Sequence, residues 1–301
     1  MPEVASETMS KSEALRRVSA EGFPLLARGG QAEILDCGDG KVLRIARRPQ
    51  DFNAIRYEYA VYSLLAAAGL PAPRAHELVE AEGAPAIIMD RLSGRSMIET
   101  LARNPLLAPH WGRELARLHV RTGRYRVRAE WVKTTRVKAE GFISRSQSLS
   151  EETKHAVLDL LRGLPDGEAF CHGDFHPGNI ILQEGKSYLI DWVGASRGDL
   201  TADVAHTYLL LRIVPRLPHA PRLQHLLQVQ VAHAVAKSYL REVAPLIAMD
   251  YRQFSRWLLV NAAARTSHGL PTEQSRLLSF IERSIRMLAR GGNERDLSRR
   301  V

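Results

Sequence analysis

His172-Gly173-Asp174-Phe175-His176-Pro177-Gly178-Asn179 is followed by the apolar run Ile180-Ile181-Leu182 and then by Tyr188-Leu189-Ile190-Asp191. The stretch reads as a polar loop, a hairpin-like pair of short apolar runs and a third polar residue at the far end. Such a hairpin folds Asp191 back beside Asn179. The side-chain oxygens of Asn179 and Asp191 are donors that a hard cation such as Mg²⁺ prefers. Asp174 lies earlier in the same loop and can project from it without joining that coordination sphere. A carboxylate there could hold and deprotonate an attacking hydroxyl, which is what phosphoryl transfer needs. If the aspartates were only turn residues capping their own backbone, that would explain either one but not the set. His172 and His176 also suggest zinc. Pro177 and Gly178 argue against a helical His pair, however, and no third ligand stands nearby.

Working outward, Ile34–Leu35 and Val42–Ala46 read as strands around a Gly38-Asp39-Gly40 turn. Asn53–Ala68 reads as a helix closed by Gly69 and Pro71, and Ala86–Met89 as a buried strand. Ser12–Ser19 reads as a short helix. Leu92-Ser93-Gly94 looks like a linker. Beyond it the chain is mainly helical: Trp111–His119 has helical spacing, Ser148 with Glu151 fits a capping box, and helices run from Ala202 to about Arg290. The tail 291–301 is charged and expected to fray. The expected fold is α+β, with a small β-rich N-terminal lobe (residues 1–91) carrying one long helix and a larger helical lobe (92–301). A cleft between two such lobes is a favoured ligand site.

One charge in the small lobe needs a partner. Arg44 sits inside the short apolar strand Val42-Leu43-Arg44-Ile45-Ala46, and Glu58 sits on the helix stripe Ala54, Glu58, Val61, Leu65. Each is costly on an apolar face unless paired, so an Arg44–Glu58 ion pair answers both problems.

Composition narrows the function classes. The chain has 301 residues, 45% hydrophobic and 25% charged, with two cysteines and a net charge of +9. This is globular usage and excludes a disulfide framework, a fibrous protein and a disordered one. No run is long and apolar enough for a spanning helix, and Met1–Gly22 lacks the apolar stretch of a secretory signal, so a cytoplasmic protein off the membrane is expected. From Leu200 onward fifteen Lys and Arg stand against seven Asp and Glu. That bias disfavours a polycationic ligand. The basic stretch Arg121, Arg124, Arg126, Arg128, Lys133, Arg136, Lys138 could suit nucleic acid, but a solvated insertion or a patch for an acidic partner is the simpler reading. No nucleic-acid partner is expected.

The spacing His172-Gly173-Asp174-x-x-x-x-Asn179 followed by Asp191 resembles the aminoglycoside phosphotransferase / choline kinase family, small-molecule relatives of the protein kinases. Gly173 stands where protein kinases have Arg, and Trp192-Val193 where they have Phe-Gly. The resemblance implies a bilobal protein-kinase-like fold and an ATP/Mg²⁺-dependent phosphotransferase with a small-molecule hydroxyl as acceptor, GTP not being excluded. It makes Asp174 the catalytic base, Asn179 and Asp191 the magnesium ligands, and His172 a scaffold residue of the loop. Arg44, set by Glu58, takes the phosphate-holding role of the kinase strand Lys. Gly29 and Gly30 fall where backbone N–H groups cover phosphates, ahead of the first strand pair. Met89-Asp90-Arg91-Leu92 falls at the adenine-binding hinge, with the Asp90 carbonyl and the Leu92 N–H meeting the base.

Gly198-Asp199-Leu200-Thr201-Ala202-Asp203 is similar to the family's G-D-P-x-x-D segment. Asp203 there fits a helix cap or first-turn acid, while Asp199 and Trp192 are candidate substrate contacts. The family name does not fix the acceptor: the basic late helices suit a neutral or anionic compound at least as well as an aminoglycoside. A non-catalytic nucleotide-binding module with the same fold is the competing reading. Three intact polar positions weigh against it.

Overall fold

The computed structural model describes residues 15–214, 221–268 and 271–290. Its strands are β1 (Arg17–Val18), β2 (Leu25–Arg28), β3 (Ala32–Gly38), β4 (Lys41–Ala46), β5 (Ala75–Ala81), β6 (Ala84–Asp90), β7 (Arg95–Ser96), β8 (Ala169–Cys171), β9 (Ile180–Gln183), β10 (Lys186–Leu189) and β11 (Ser196–Gly198). Its helices are α1 (Phe52–Ala67), α2 (Met97–Arg103), α3 (Ala108–Gly123), α4 (Thr135–Arg145), α5 (Glu151–Arg162), α6 (Leu200–Arg212), α7 (Arg222–Leu246), α8 (Tyr251–Arg265) and α9 (Pro271–Ala289). They fall into two units. The first runs to Met97 and takes in Gly178–Ala195; the second is Ile98–Pro177 and the chain from Ser196 onward. Compared with a single cut after residue 91, the first unit is longer and includes the hairpin that carries Asp191.

In the first unit a six-stranded sheet has the order β1-β5-β6-β4-β3-β2, and a three-stranded sheet the order β10-β9-β7. The Gly38-Asp39-Gly40 turn forms where it was expected, because all three residues take positive φ and two of them are glycine. Leu35, Leu43, Val79, Ala81 and Ala86 make the buried face. α1 buries Ile55, Glu58, Val61 and Leu65, three of which lie on the expected stripe. One expectation is corrected. The described part of Ser12–Ser19 is extended and contains β1, which pairs in parallel with β5: ladder hydrogen bonds outweigh weak helical periodicity there. Gly29 and Gly30 precede the expected strand pair, β3 and β4, and form the turn that joins β3 to β2, a strand the sequence reading did not place.

The second unit is helical around α3, α6, α7 and α8, with β8 and β11 paired antiparallel. α3 and α7 pack closely because Gly112 has no side chain: a Cβ there would lie 2.6 Å from the Val235 carbonyl oxygen. The α5 cap is Ser150, whose Oγ accepts the Thr153 N–H at 3.2 Å. Ser148 is not the cap, because the helix starts two residues later than the capping-box reading placed it. No helix among the described residues is long and apolar enough to cross a membrane.

Candidate active site

In the first unit Arg44 is the centre of a charge array. Its Nε donates to Glu58 Oε2 at 2.7 Å and its Nη2 to Asp191 Oδ1 at 3.1 Å. The expected strand–helix pair is present and extends to the expected cation ligand. Glu58 is fully buried, and its other oxygen accepts the Trp192 N–H at 3.2 Å. One carboxylate therefore fixes both the guanidinium and the backbone after Asp191. Burial pulls the Arg44 guanidinium down, but Glu58 and Asp191 outweigh it and leave its pKa above the ordinary value. Burial pushes the Glu58 carboxyl up, against Arg44.

The hairpin does what its sequence implied. Leu189 pairs with Ile180, and the Ile190 N–H donates to the Asn179 carbonyl at 3.0 Å. Asp191 takes the left-handed conformation, φ 63°, which is uncommon outside glycine. Its side chain remains 43% exposed, leaving a carboxylate oxygen accessible beside Arg44. Asn179, which is buried, and Asp191 stand at the two ends of this hairpin, and their side-chain oxygens are of the kind that holds Mg²⁺, normally bound by one or two such groups. No group of three or more His, Cys, Asp or Glu able to hold a metal occurs among the described residues.

Trp192 is corrected as a substrate contact. It is fully buried, and its Nε1 donates to the Leu189 carbonyl at 3.1 Å, so its ring packs the hairpin. Of the other nucleotide candidates, Gly29 donates its N–H to the Ala32 carbonyl at 2.9 Å, while an added Cβ at Gly30 would meet open space. Met89 is buried. The Asp90 N–H donates to the Arg74 carbonyl, and its carboxylate accepts the Arg74 N–H and lies 2.7 Å from His76 Nε2. Leu92 is half-buried just beyond β6.

In the second unit Asp174 stands at the head of its loop with 40% of its side chain exposed. Its own N–H donates to His172 Nδ1 at 3.2 Å, and His176 Nε2 lies 3.6 Å from its carboxylate. The two histidines that suggested zinc thus serve Asp174. Burial raises its pKa, but His176, His206 and His172 outweigh that and hold the carboxyl well below the usual carboxylate range. The His206 imidazole is itself brought down to about 4, by burial first and then by Arg265.

Asp203 holds the loop. It is buried, and its carboxylate accepts the N–H groups of His172 at 2.6 Å and Gly173 at 2.9 Å. His119 Nε2 is 3.0 Å from the same carboxylate, and His119 Nδ1 is 2.7 Å from the Tyr239 hydroxyl. Gly173 takes φ 78°, which lets successive N–H groups turn toward one carboxylate and explains glycine where protein kinases carry arginine. Phe175 stacks on His119 with centroids 4.0 Å apart. Burial works against the Asp203 carboxylate, but His119, His172 and the Gly173 N–H bring its pKa down to about 2.

Asp203 lies in the first turn of α6, as expected, while Asp199 takes a place other than the one expected of it. Asp199 caps α6, accepting the Thr201 N–H at 2.8 Å. Its other oxygen accepts Gln253 Nε2 and, at 3.1 Å, Trp257 Nε1. Its carboxylate is therefore engaged by the first turn of α6 and by two side chains of α8. Asp203, read as a first-turn acid, is the anchor of the loop. His119 and His206 carried no signal in the sequence beyond lying on helices.

The chain matches the model of the phosphotransferase enzyme family over residues 33–245. A sequence comparison with curated proteins finds no match. Among solved structures it is similar to the amicoumacin kinase hAmiN in complex with AMP-PNP, Ca²⁺ and Ami (16% identity, 93% of this chain and 92% of that one, TM-score 0.58). It is also similar to a thermostable mutant of the aminoglycoside phosphotransferase APH(4)-Ia in ternary complex with AMP-PNP and hygromycin B (16% identity, 96% and 98%, TM-score 0.61). A third is choline kinase from Cryptosporidium parvum Iowa II (12% identity, 89% and 90%, TM-score 0.53). At such identities the likeness speaks for the kinase-like fold, while the family match covers most of the chain. The chain belongs to the phosphotransferase enzyme family.

Proposed function

We propose that the protein transfers the γ-phosphoryl group of ATP to a hydroxyl of a small molecule. The observation that carries this reading is Arg44, held by Glu58 and turned onto Asp191: a fixed guanidinium beside an accessible carboxylate suits phosphate oxygens and their counter-cation. Arg44 would grip phosphate as a fork. Asn179 and Asp191 would hold magnesium, which when bound neutralises charge developing on the transferred group. Asp174, kept ionised by its histidines, would orient the acceptor hydroxyl and take its proton. The Gly29–Gly30 turn would cover the phosphates, and the Asp90 carbonyl and Leu92 N–H would meet the base.

The acceptor is an alcohol, and the basic late helices favour a neutral or anionic one over a polycation. The experiment is a broad acceptor screen read by product mass shift, with Asp174→Ala beside the parent. Turnover of the variant should fall by about 10²–10⁴ while ATP binding persists. A variant that transfers phosphate at the parental rate removes Asp174 from the reaction.

A further inference from the structure

Helix α1 carries Tyr57, Tyr59 and Tyr62. Tyr59 feels the charge of Glu77 on β5. The other two turn to the segment that begins at Asp191. The Tyr57 hydroxyl donates to the Ala195 carbonyl at 2.7 Å. Tyr62 is buried, and its hydroxyl meets the Asp191 backbone N–H. Glu58 takes the Trp192 N–H. One helix thus holds the chain at residues 191, 192 and 195, and all of these residues lie in the first unit.

The held segment is short and sharply bent. Asp191 is left-handed, φ 63°, Trp192–Gly194 form a single 3₁₀ turn, and the Ala195 N–H closes on the Trp192 carbonyl at 2.9 Å. A residue other than glycine keeps such a φ only where its surroundings over-determine it. The Asp191 side chain makes no capping hydrogen bond to this turn; its carboxylate goes to Arg44 instead. The contacts from α1 supply the constraint. Tyr62 and Glu58 fix the start of the turn, and Tyr57 fixes its end. Held at the start alone, the turn can pivot, and the Asp191 carboxylate pivots with it. Held at both ends, the carboxylate has its direction set before a cation arrives. Groups that orient a metal ligand without touching the metal act on affinity in this way.

We propose that Tyr57 is a positioning residue for the cation site: its hydroxyl holds the end of the 191–195 turn so that the Asp191 carboxylate is presented to magnesium. The proposal rests on the reading of Asp191 as a magnesium ligand and adds to it a side chain from another element, which acts only through that turn.

The test is isothermal titration calorimetry of the full chain with AMP-PNP, once in EDTA and once in saturating magnesium chloride. The readout is the factor by which magnesium tightens binding, which a merely structural role would not move. Tyr57→Phe keeps the ring and removes the hydroxyl; it should lower that factor about tenfold, with binding in EDTA as in the parent. Tyr59→Phe, on the same helix but away from the turn, should leave both measurements as in the parent. Asp191→Asn should remove most of the factor. The proposal is overturned if Tyr57→Phe keeps the parental factor, whatever its melting curve does, or if Tyr59→Phe lowers it as much. A loss in Asp191→Asn with none in Tyr57→Phe removes the proposal alone. If Asp191→Asn keeps the parental factor, the magnesium reading fails and takes the proposal with it.

Discussion

Replacing Asp203 with Asn tests whether one carboxylate sets the catalytic loop. The substitution keeps the size and removes the charge. Asp203 accepts two backbone N–H groups and faces the His119 ring, all at 3.0 Å or less. A hydrogen bond to a charged group contributes about 1.5–3 kcal/mol, and the asparagine amide would turn a donor toward donors. The lowered pKa gives a second figure. Moving a carboxyl from 3.8 to about 2 corresponds to about 2 kcal/mol. The expected loss is thus about 2–5 kcal/mol, or a melting temperature lower by about 5–15 °C.

The pH dependence has a definite sign. The folded-state pKa lies below the unfolded one, so the stabilisation is complete above about pH 4 and disappears as the pH falls toward about 2. The gap between parent and Asp203→Asn should therefore be widest near neutrality and close in acid. Calorimetric or circular-dichroism melts from pH 2 to pH 7 measure it. A variant that melts within about 2 °C of the parent, with a gap that does not vary with pH, refutes the assignment of Asp203 as the loop's anchor.

Three further outcomes follow from the same geometry. Glu58→Gln leaves Arg44 without its buried partner and should cost about 3–5 kcal/mol; urea unfolding reads it, and an unchanged midpoint contradicts the coupling of α1 to the Asp191 turn. Gly112→Ala, normally favourable inside a helix by about 1 kcal/mol, should instead destabilise by about 1–3 kcal/mol, because its Cβ meets Val235 and Ser238; a stabilised variant would show that α3 and α7 can separate at little cost. His176→Ala removes a group that holds the Asp174 carboxyl down, so the acid limb of kcat/KM against pH should move to higher pH. An unmoved limb means that His176 does not tune the base.

What the sequence made legible was whatever depended on short-range rules. The Ile180–Leu189 hairpin followed from two apolar runs and a turn, and it carried Asp191 to Asn179. The Arg44–Glu58 pair followed from the cost of two unpaired charges on apolar faces. Polar residues whose partners come from distant elements were harder to assign. Asp199 and Asp203 both suit the start of a helix, and nothing local says which one caps it. The choice is made by Gln253 and Trp257 on α8, which engage Asp199, and by the loop amides, which engage Asp203. Trp192 resembled a ligand contact because aromatic residues serve both pockets and cores; its burial depends on packing that no short window contains. β1 was missed for a related reason, since its partner β5 lies some sixty residues away in the chain.

The Asp203–His119–Tyr239 chain has a consequence for how such a protein can diversify. Three helices meet the catalytic loop through one hydrogen-bonded line, and every side chain in it is buried. Changes at positions 119, 203 or 239 would alter reactivity and folding together, so neither could be adjusted by itself. A shift in acceptor preference must then arise from side chains off that line, where replacements leave the loop's backbone untouched. Libraries built to retarget the enzyme should hold these three positions constant and vary the exposed ends of the helices instead.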